Sequence, residues 1–289
     1  MFSVNGDSMT TKLIRQCRIE DVPVYGILDV SSDSKDNLTV PQAFDFAQKA
    51  GGRLQTIGEA LVVRVAFHND VKEHPEIYDT AEKQAAALDG SNNYQRTRTV
   101  SLKVKNDGSF NVDAPYVTLF AELDNDEASR ALVQEGYDAN SKGDNFLVKP
   151  VKDGFICDLI AQAKDTGRVA AALTESPLKL ATAQKDGKSA YGQNQNIIAV
   201  FGSAELGEMN AGYLSERGYK EGSVWDHTTK ELESEFKGEE DSAIVCSVGL
   251  GGGDYVISYV NAVDVFNNYG RARGVVHVGA QKVKQFDTP

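Results

Sequence analysis

The sequence is poor in cysteine, tryptophan, methionine and proline. Its 289 residues include three cysteines, one tryptophan, three methionines and seven prolines. The cysteines, Cys17, Cys157 and Cys246, are odd in number and far apart. A disulfide framework needs paired cysteines, and a cysteine-ligated zinc site needs two close together. We therefore expect neither in this chain.

Long apolar runs and an excess of basic residues are also missing. No stretch approaches the roughly 18 apolar residues of a membrane span, and the N-terminus lacks the charged and apolar regions of a signal peptide. Thirty lysines and arginines stand against 42 aspartates and glutamates, which gives a net charge of −12. Nucleic acids and anionic lipids require a basic surface. We expect no nucleic-acid partner and no insertion into a membrane.

Motifs of the common enzyme classes are not found. The sequence Gly-Leu-Gly-Gly-Gly at 249–253 follows a predicted strand, but no predicted helix opens after it, as a phosphate-binding loop requires. There is no Gly-x-Ser-x-Gly elbow. The four histidines are His68, His74, His227 and His277. None has a second histidine four residues away on a helix, and whether His227, Cys246 and His277 meet depends on the fold. We expect no catalytic residue, no cofactor and no metal.

The order of apolar patterns predicts an α+β protein, with helices early and strands late. The best-marked helix follows Thr39, a typical N-cap before Pro41, and stops at Gly51 and Gly52. Segments 155–163 and 168–173 fit either a helix or a strand. The other predicted elements are helices 57–67, 78–88 and 127–134, and strands 22–30, 97–104, 110–112, 115–123, 196–203, 243–250, 254–260, 261–266 and 274–278.

Residues 241–280 have an unusual composition. They contain no lysine, glutamate, glutamine, methionine or tryptophan, although these types make up about a fifth of the chain. Burial alone would exclude the first three, but the window keeps polar and aromatic residues that a buried sheet does not favour. These are Asp254, Tyr255, Ser258, Tyr259, Asn261, Asp264, Asn267, Asn268 and Tyr269. Tyrosine with short hydrogen-bonding residues is typical of recognition surfaces. The nine residues predict a ligand-binding face, with ordinary strands and turns as the alternative.

Three segments, in order, resemble the C-type-lectin-like fold in its formylglycine-generating-enzyme-like branch. Residues 39–64 resemble that branch's helix–loop–helix, with Gly-Arg-Leu-Gln-Thr at 52–56 in place of its Gly-Arg-Leu-Pro-Thr turn. The sequence Gly-Ser-Val-Trp-Asp at 222–226 resembles its Gly-Asn-Val-Trp-Glu turn. Residues 267–276 resemble its closing asparagine-rich turn and final strand.

The resemblance implies two helices packed on a twisted antiparallel sheet. The implied domain spans residues 22–289, follows an N-terminal segment 1–21, and carries a large insertion at about 68–190. The one tryptophan, Trp225, is expected in the core, because a buried tryptophan contributes a large apolar area.

The resemblance also bears on function. This branch contains copper-dependent oxidases with a cysteine pair, and binding proteins without catalysis. The binding proteins include variable proteins diversified by retroelements, some of them phage receptor-binding tip proteins. Cys246 has no partner cysteine near the C-terminus, which opposes oxidase chemistry. In the variable proteins, diversification at adenines never yields the five residue types missing from 241–280.

We therefore expect a binding protein, not an enzyme, whose partner is a cell-surface protein or glycan. In the absence of a signal peptide, we expect it on a virion or associated with a cell surface. Because trimers are common among such tip proteins, a homo-oligomer is expected. Two alternatives remain: a structural protein of a virion, with the C-terminal strands as a subunit interface, and an oxidase-like enzyme with an altered site.

Overall fold

The computed structural model describes residues 2–4, 10–13, 17–22, 24–76, 95–171, 178–179, 188–236, 241–251 and 258–277. These residues form seven α-helices and fourteen strands, and the strands join in one mainly antiparallel sheet. The α+β class predicted from the sequence is confirmed. None of the described helices is long and apolar enough to cross a lipid bilayer.

The helices are α1 (Val40–Lys49), α2 (Ile57–Glu73), α3 (Glu127–Lys142), α4 (Gly154–Asp165), α5 (Gln195–Phe201), α6 (Ala204–Glu216) and α7 (Thr229–Glu235). The strands are β1 (Phe2–Val4), β2 (Thr10–Leu13), β3 (Cys17–Val22), β4 (Gly26–Leu38), β5 (Arg53–Leu54), β6 (Gln95–Lys105), β7 (Tyr116–Glu122), β8 (Leu147–Pro150), β9 (Val169–Ala171), β10 (Leu178–Lys179), β11 (Glu221–Trp225), β12 (Ser242–Leu250), β13 (Ser258–Asp264) and β14 (Gly270–His277).

The main path of the sheet runs β1-β2-β4-β14-β6-β12-β13-β11-β10. Two of its pairings are parallel, β14 with β6 and β11 with β13. Strand β6 lies between β12 on one side and β7 and β14 on the other. Although β6 and β7 fall within the predicted insertion 68–190, they are part of the central sheet.

Helices α1 and α2 form as predicted, because each begins and ends with a local signal. Helix α1 begins after Thr39, and Gly51 follows its end with a φ of 80°, a conformation that glycine adopts without strain. Helix α2 begins with a capping box in which Thr56 Oγ1 accepts from the Glu59 amide at 3.1 Å. In return, the Thr56 amide donates to Glu59 at 2.7 Å. The helix extends six residues beyond its predicted end.

In the part of the chain that the structure describes, the core contains two large clusters and a small one. The first joins α1, α3 and α4 to apolar residues of β6, β7 and β12. The second joins α2, α5 and α6 to residues of β7, β12 and β13. The small one contains Leu232 and Phe236, in and just after α7, together with Tyr116, Ile244 and Cys246. The helices of the two large clusters pack on the same strands, β7 and β12. The sheet therefore fixes the positions of these two groups of helices relative to each other.

The connection from β13 to β14 is packed under α3. Its Phe266 is buried, and a Cβ atom on Gly136 of α3 would lie 2.4 Å from the Phe266 ring. Gly136→Ala is therefore expected to lower the free energy of unfolding by about 1–3 kcal/mol, because the ring must move. The matched control is Gly212→Ala on α6, where nothing lies within 4 Å of such a Cβ. Since alanine favours a helix, we expect the control to be neutral or to stabilise by up to about 1 kcal/mol. Urea unfolding measures both, and equal destabilisation would contradict the packing.

The prediction of a strand at 196–203 is wrong, since this segment forms α5. Its apolar run is too short for periodicity to distinguish a strand from a helix. The deciding signals flank it: the Asn194 side chain accepts from the Asn196 amide at 2.9 Å, and Gly202 ends the helix with a φ of 93°. Both residue types are typical helix caps.

Several strand boundaries differ from the predictions. The predicted strand 22–30 is interrupted by a turn at Val24, whose φ is 72°, and β4 then continues to Leu38 through the polar residues 31–37. Pairing with β2 and β14 supplies the hydrogen bonds that sustain this polar part. Residues 110–112, predicted as a strand, lie in the loop between β6 and β7. The predicted helix 78–88 and residues 254–257 lie outside the described residues.

The strands predicted separately at 254–260 and 261–266 form one strand, β13, in their described part, and the other predicted elements are confirmed. The helix predicted at 127–134 is α3, which extends to Lys142. The strands predicted at 97–104, 115–123, 243–250 and 274–278 correspond to β6, β7, β12 and β14. Of the ambiguous segments, 155–163 lies within helix α4, and 168–173 contains strand β9.

Candidate binding surface

The nine predicted ligand-binding residues fall into three groups. Asp254 and Tyr255 lie outside the described residues. Ser258, Tyr259, Asn261 and Asp264 belong to β13, where Ser258 pairs with Gly222 and Tyr259 with Ser223 of β11. Asn267, Asn268 and Tyr269 form the end of the turn that connects β13 to β14.

Asn261 and Asp264 are buried, so they do not belong to the solvent-facing part of the predicted ligand-binding face. Asn261 is 8% exposed and Asp264 is 3% exposed. The Asn261 side-chain oxygen accepts from the Val263 amide at 3.1 Å. Asp264 forms an ion pair with Arg96 of β6. Their polar atoms are used inside the protein, so neither residue is available to a ligand at the surface.

The Arg96–Asp264 pair is fully enclosed, with side-chain exposures of 0% and 2%. Gly249 of β12 pairs with Arg96 on one side and with Asn261 on the other. Arg96 and Asp264 lie on the two strands that flank β12, so the ion pair spans β12. A buried ion pair tolerates its desolvation only when both charges are present. Asp264 therefore contributes to the stability of the fold.

The turn after Asp264, residues 265–269, is attached at its root and exposed at its tip. The Phe266 amide donates to Asn140 Oδ1 of α3 at 2.8 Å, and the Phe266 carbonyl accepts from the Val40 amide of α1 at 3.1 Å. Asn268 donates to Asp264 Oδ1 at 2.9 Å. Tyr269 is 61% exposed, and Asn268 is exposed as well. The turn therefore presents an amide and an aromatic ring on a fixed base.

A second buried ion pair joins Lys103 of β6 to Asp226, the residue after β11. The Lys103 Nζ atom lies 3.2 Å from Asp226 Oδ1, and both side chains are 0% exposed. Lys103 also donates to Ser101 and to the Ala262 carbonyl of β13. Asp226 accepts from Thr118 Oγ1 at 2.5 Å and from the His227 amide at 2.9 Å. Every charge in this cluster has partners, as buried ion pairs require.

Cys246 lies beside this cluster. Burial raises the pKa of its thiol, although Lys103 acts in the opposite direction. A reactive cysteine needs a thiolate, which this environment disfavours. Among the residues described in the structure, no group of three histidine, cysteine, aspartate or glutamate side chains is arranged to hold a metal ion.

His227 is expected to make stability depend on pH. Burial, reinforced by the nearby charge of Lys103, lowers the pKa of His227 to about 4. The unfolded chain takes up this proton near pH 6.5, so between these values the unfolded state binds more protons than the native state. The free energy of unfolding should therefore fall as the pH drops from about 6.5 to 4. Urea unfolding across this range should show a smaller fall in His227→Gln, and an identical fall would contradict the assignment.

Trp225 is exposed, so the prediction that it lies in the core is wrong. Its exposed fraction is 55%, and it pairs with Asn261 at the end of β11. Side chains of a strand alternate between its two faces, and Asp226, the next residue, turns its carboxylate inward to Lys103. If the pairing of Asp226 with the buried Lys103 had been known, alternation along the strand would have predicted that Trp225 faces solvent. The structure therefore places a large exposed aromatic residue next to β13, the strand that carries four of the nine predicted ligand-binding residues.

Comparisons with known proteins bear on the fold alone. No family model matches the sequence, and no curated protein matches it. A solved structure described as "Accommodation of massive sequence variation in Nanoarchaeota by the C-type lectin fold" is similar, with a TM-score of 0.53 and 13% identical residues. The match covers 92% of this chain and all of that one. The chain therefore has the C-type lectin fold, as the resemblance implied.

Proposed function

We propose that this protein binds a ligand without catalysis, through a surface centred on the turn 265–269. The observation that carries the proposal is the exposure of Asn268 and Tyr269 above a buried base. A fixed aromatic ring binds at a small cost in conformational entropy, and a neighbouring amide adds adaptable hydrogen bonds. The ligand class is a cell-surface protein or glycan.

The composition of residues 241–280 supports a surface whose residues vary. The five missing residue types are those that retroelement diversification at adenines does not yield, and the fold is one described as accommodating massive sequence variation. We propose that the protein is carried on a virion or associated with a cell surface as a homo-oligomer. Several copies acting together would raise a weak single-site affinity.

The test compares three proteins on an array of cell-surface glycans and an array of purified cell-surface proteins. These are the wild type, the double variant Asn268→Ser/Tyr269→Ser, hereafter the turn variant, and Val148→Ser. Val148 is also an exposed apolar residue, at 41%. We expect the turn variant to lose a wild-type ligand that Val148→Ser retains. Equal binding by all three, or binding by none, would contradict the proposal.

A structural role in a virion is the second candidate, because two exposed aromatic residues, Trp225 and Tyr269, also fit a subunit interface. Light scattering of the wild type, Trp225→Ser and Tyr269→Ser distinguishes the two. Dissociation of an oligomer by these substitutions, with no ligand on either array, would favour assembly. An unchanged mass with loss of a ligand would favour recognition.

A further inference from the structure

We infer that Arg64, Lys103 and Asn140 are positioning residues for the recognition segment, defined as the described residues 250–251 and 258–269. Each is a side chain of the surrounding scaffold, and each forms a hydrogen bond with a main-chain atom of the segment. The inference rests on the proposed function, because it concerns how the proposed binding surface is held in place.

Arg64 holds the beginning of the recognition segment. It lies on α2 and is 4% exposed. One guanidinium nitrogen donates to the Gly251 carbonyl at 2.7 Å, and the other donates to the Leu250 carbonyl at 3.2 Å. The planar guanidinium stays charged at all ordinary pH values and offers donors in a fixed fork. It therefore fixes the point at which the chain leaves β12.

Lys103 holds the middle of the recognition segment. Its ammonium donates to the Ala262 carbonyl, and Ser101 Oγ donates to the same oxygen at 2.5 Å. Asp226 balances the lysine charge at 3.2 Å. Because the ion pair is complete without any side chain of β13, the hold on Ala262 does not depend on which residues β13 carries.

Asn140 holds the end of the recognition segment. Its Oδ1 accepts from the Phe266 amide at 2.8 Å, while its Nδ2 donates to the Asp144 carbonyl at 2.9 Å. The second bond fixes the orientation of the amide group. Asn140 is 8% exposed, so water competes little for either bond.

These contacts distinguish two kinds of residue in the recognition segment: those whose side chains can be replaced and those whose side chains cannot. Carbonyl groups belong to every residue and amide hydrogens to every residue except proline. The three anchors therefore persist when exposed side chains such as Asn268 and Tyr269 are replaced. Asp264 and Phe266 are different, because their own side chains are buried. The scaffold thus permits exchange at the tip of the turn and forbids it at the base.

Hydrogen exchange measured by mass spectrometry tests the role of Arg64. In Arg64→Met, we expect amides of residues 248–251 and 258–264 to exchange at least about tenfold faster, with α3 unchanged, since local opening is independent of global unfolding. Lys72→Met, an exposed change on the same helix, should match the wild type. Arg64→Lys keeps the charge but has a single donor nitrogen, so its exchange should fall between the two; it also serves if Arg64→Met does not fold. Unchanged exchange in the segment, or an equal rise in α3, would overturn the inference.

The turn variant supplies the reverse test. Its exchange in residues 248–251 and 258–264 should equal that of the wild type, because all three anchors remain. Faster exchange would show that Asn268 and Tyr269 themselves hold the segment, and would overturn the inference. Neither measurement involves a ligand, so a failure to find one would count against the proposed function alone.

Discussion

Asp264→Ala is expected to lower the free energy of unfolding by about 3–5 kcal/mol, the range found when one partner of a buried ion pair is removed. The Arg96 side chain is 0% exposed and would remain charged without its counter-ion. The Val265 amide and the Asn268 side chain would also lose their acceptor, Asp264 Oδ1. Urea unfolding monitored by circular dichroism measures the change.

The double variant Arg96→Met/Asp264→Ala is the control for this prediction. It removes both charges, so we expect it to be clearly more stable than Asp264→Ala. A loss of less than about 1 kcal/mol in Asp264→Ala would be typical of a surface position. That result would place Asp264 in the solvent-facing part of the ligand-binding face predicted from the sequence.

Lys103→Met is expected to cost a similar amount, about 3–5 kcal/mol. The substitution leaves Asp226 buried without a cation and removes a donor from the Ala262 carbonyl. Methionine is similar in length to lysine, so the loss reflects charge and hydrogen bonding more than volume. Urea unfolding again gives the free energy.

Lys105→Met, two residues along the same strand, is the matched control. Lys105 is exposed, so the substitution should change the free energy of unfolding by no more than about 0.5 kcal/mol. Equal effects at positions 103 and 105 would show that the ion pair with Asp226 contributes little, and would remove the basis for the role of Lys103 in holding β13.

The parts of the fold that the sequence predicted correctly are those with local signals. Helices α1 and α2 carry their caps within a few residues, at Thr39, Gly51 and Thr56. Strands β7 and β12 are apolar runs of ordinary strand length. In each case the information lies in neighbouring residues, where propensity and capping act.

The candidate site was predicted less well, because its polar residues are defined by distant partners. Asp264 pairs with Arg96, which lies 168 residues earlier in the chain. A carboxylate is almost never buried unless it is paired, so without knowledge of Arg96 the sequence places Asp264 at the surface. The prediction for Trp225 was wrong in the opposite sense, since Trp225 was expected in the core and is exposed. Its outward position depends on Asp226 turning inward to Lys103. The exposed position of Tyr269 needed no distant partner.

Thermal unfolding of the turn variant beside Asp264→Ala tests the central claim most directly. The claim is that the exposed tip of the recognition segment serves binding while its base serves the fold. Each kcal/mol shifts the melting temperature of a domain of this size by about 2–4 °C. We predict that the turn variant melts within about 2 °C of the wild type, whereas Asp264→Ala melts at least about 6 °C lower. A turn variant that melts as low as Asp264→Ala would contradict the account, because Asn268 and Tyr269 would then be part of the structure they are proposed to decorate.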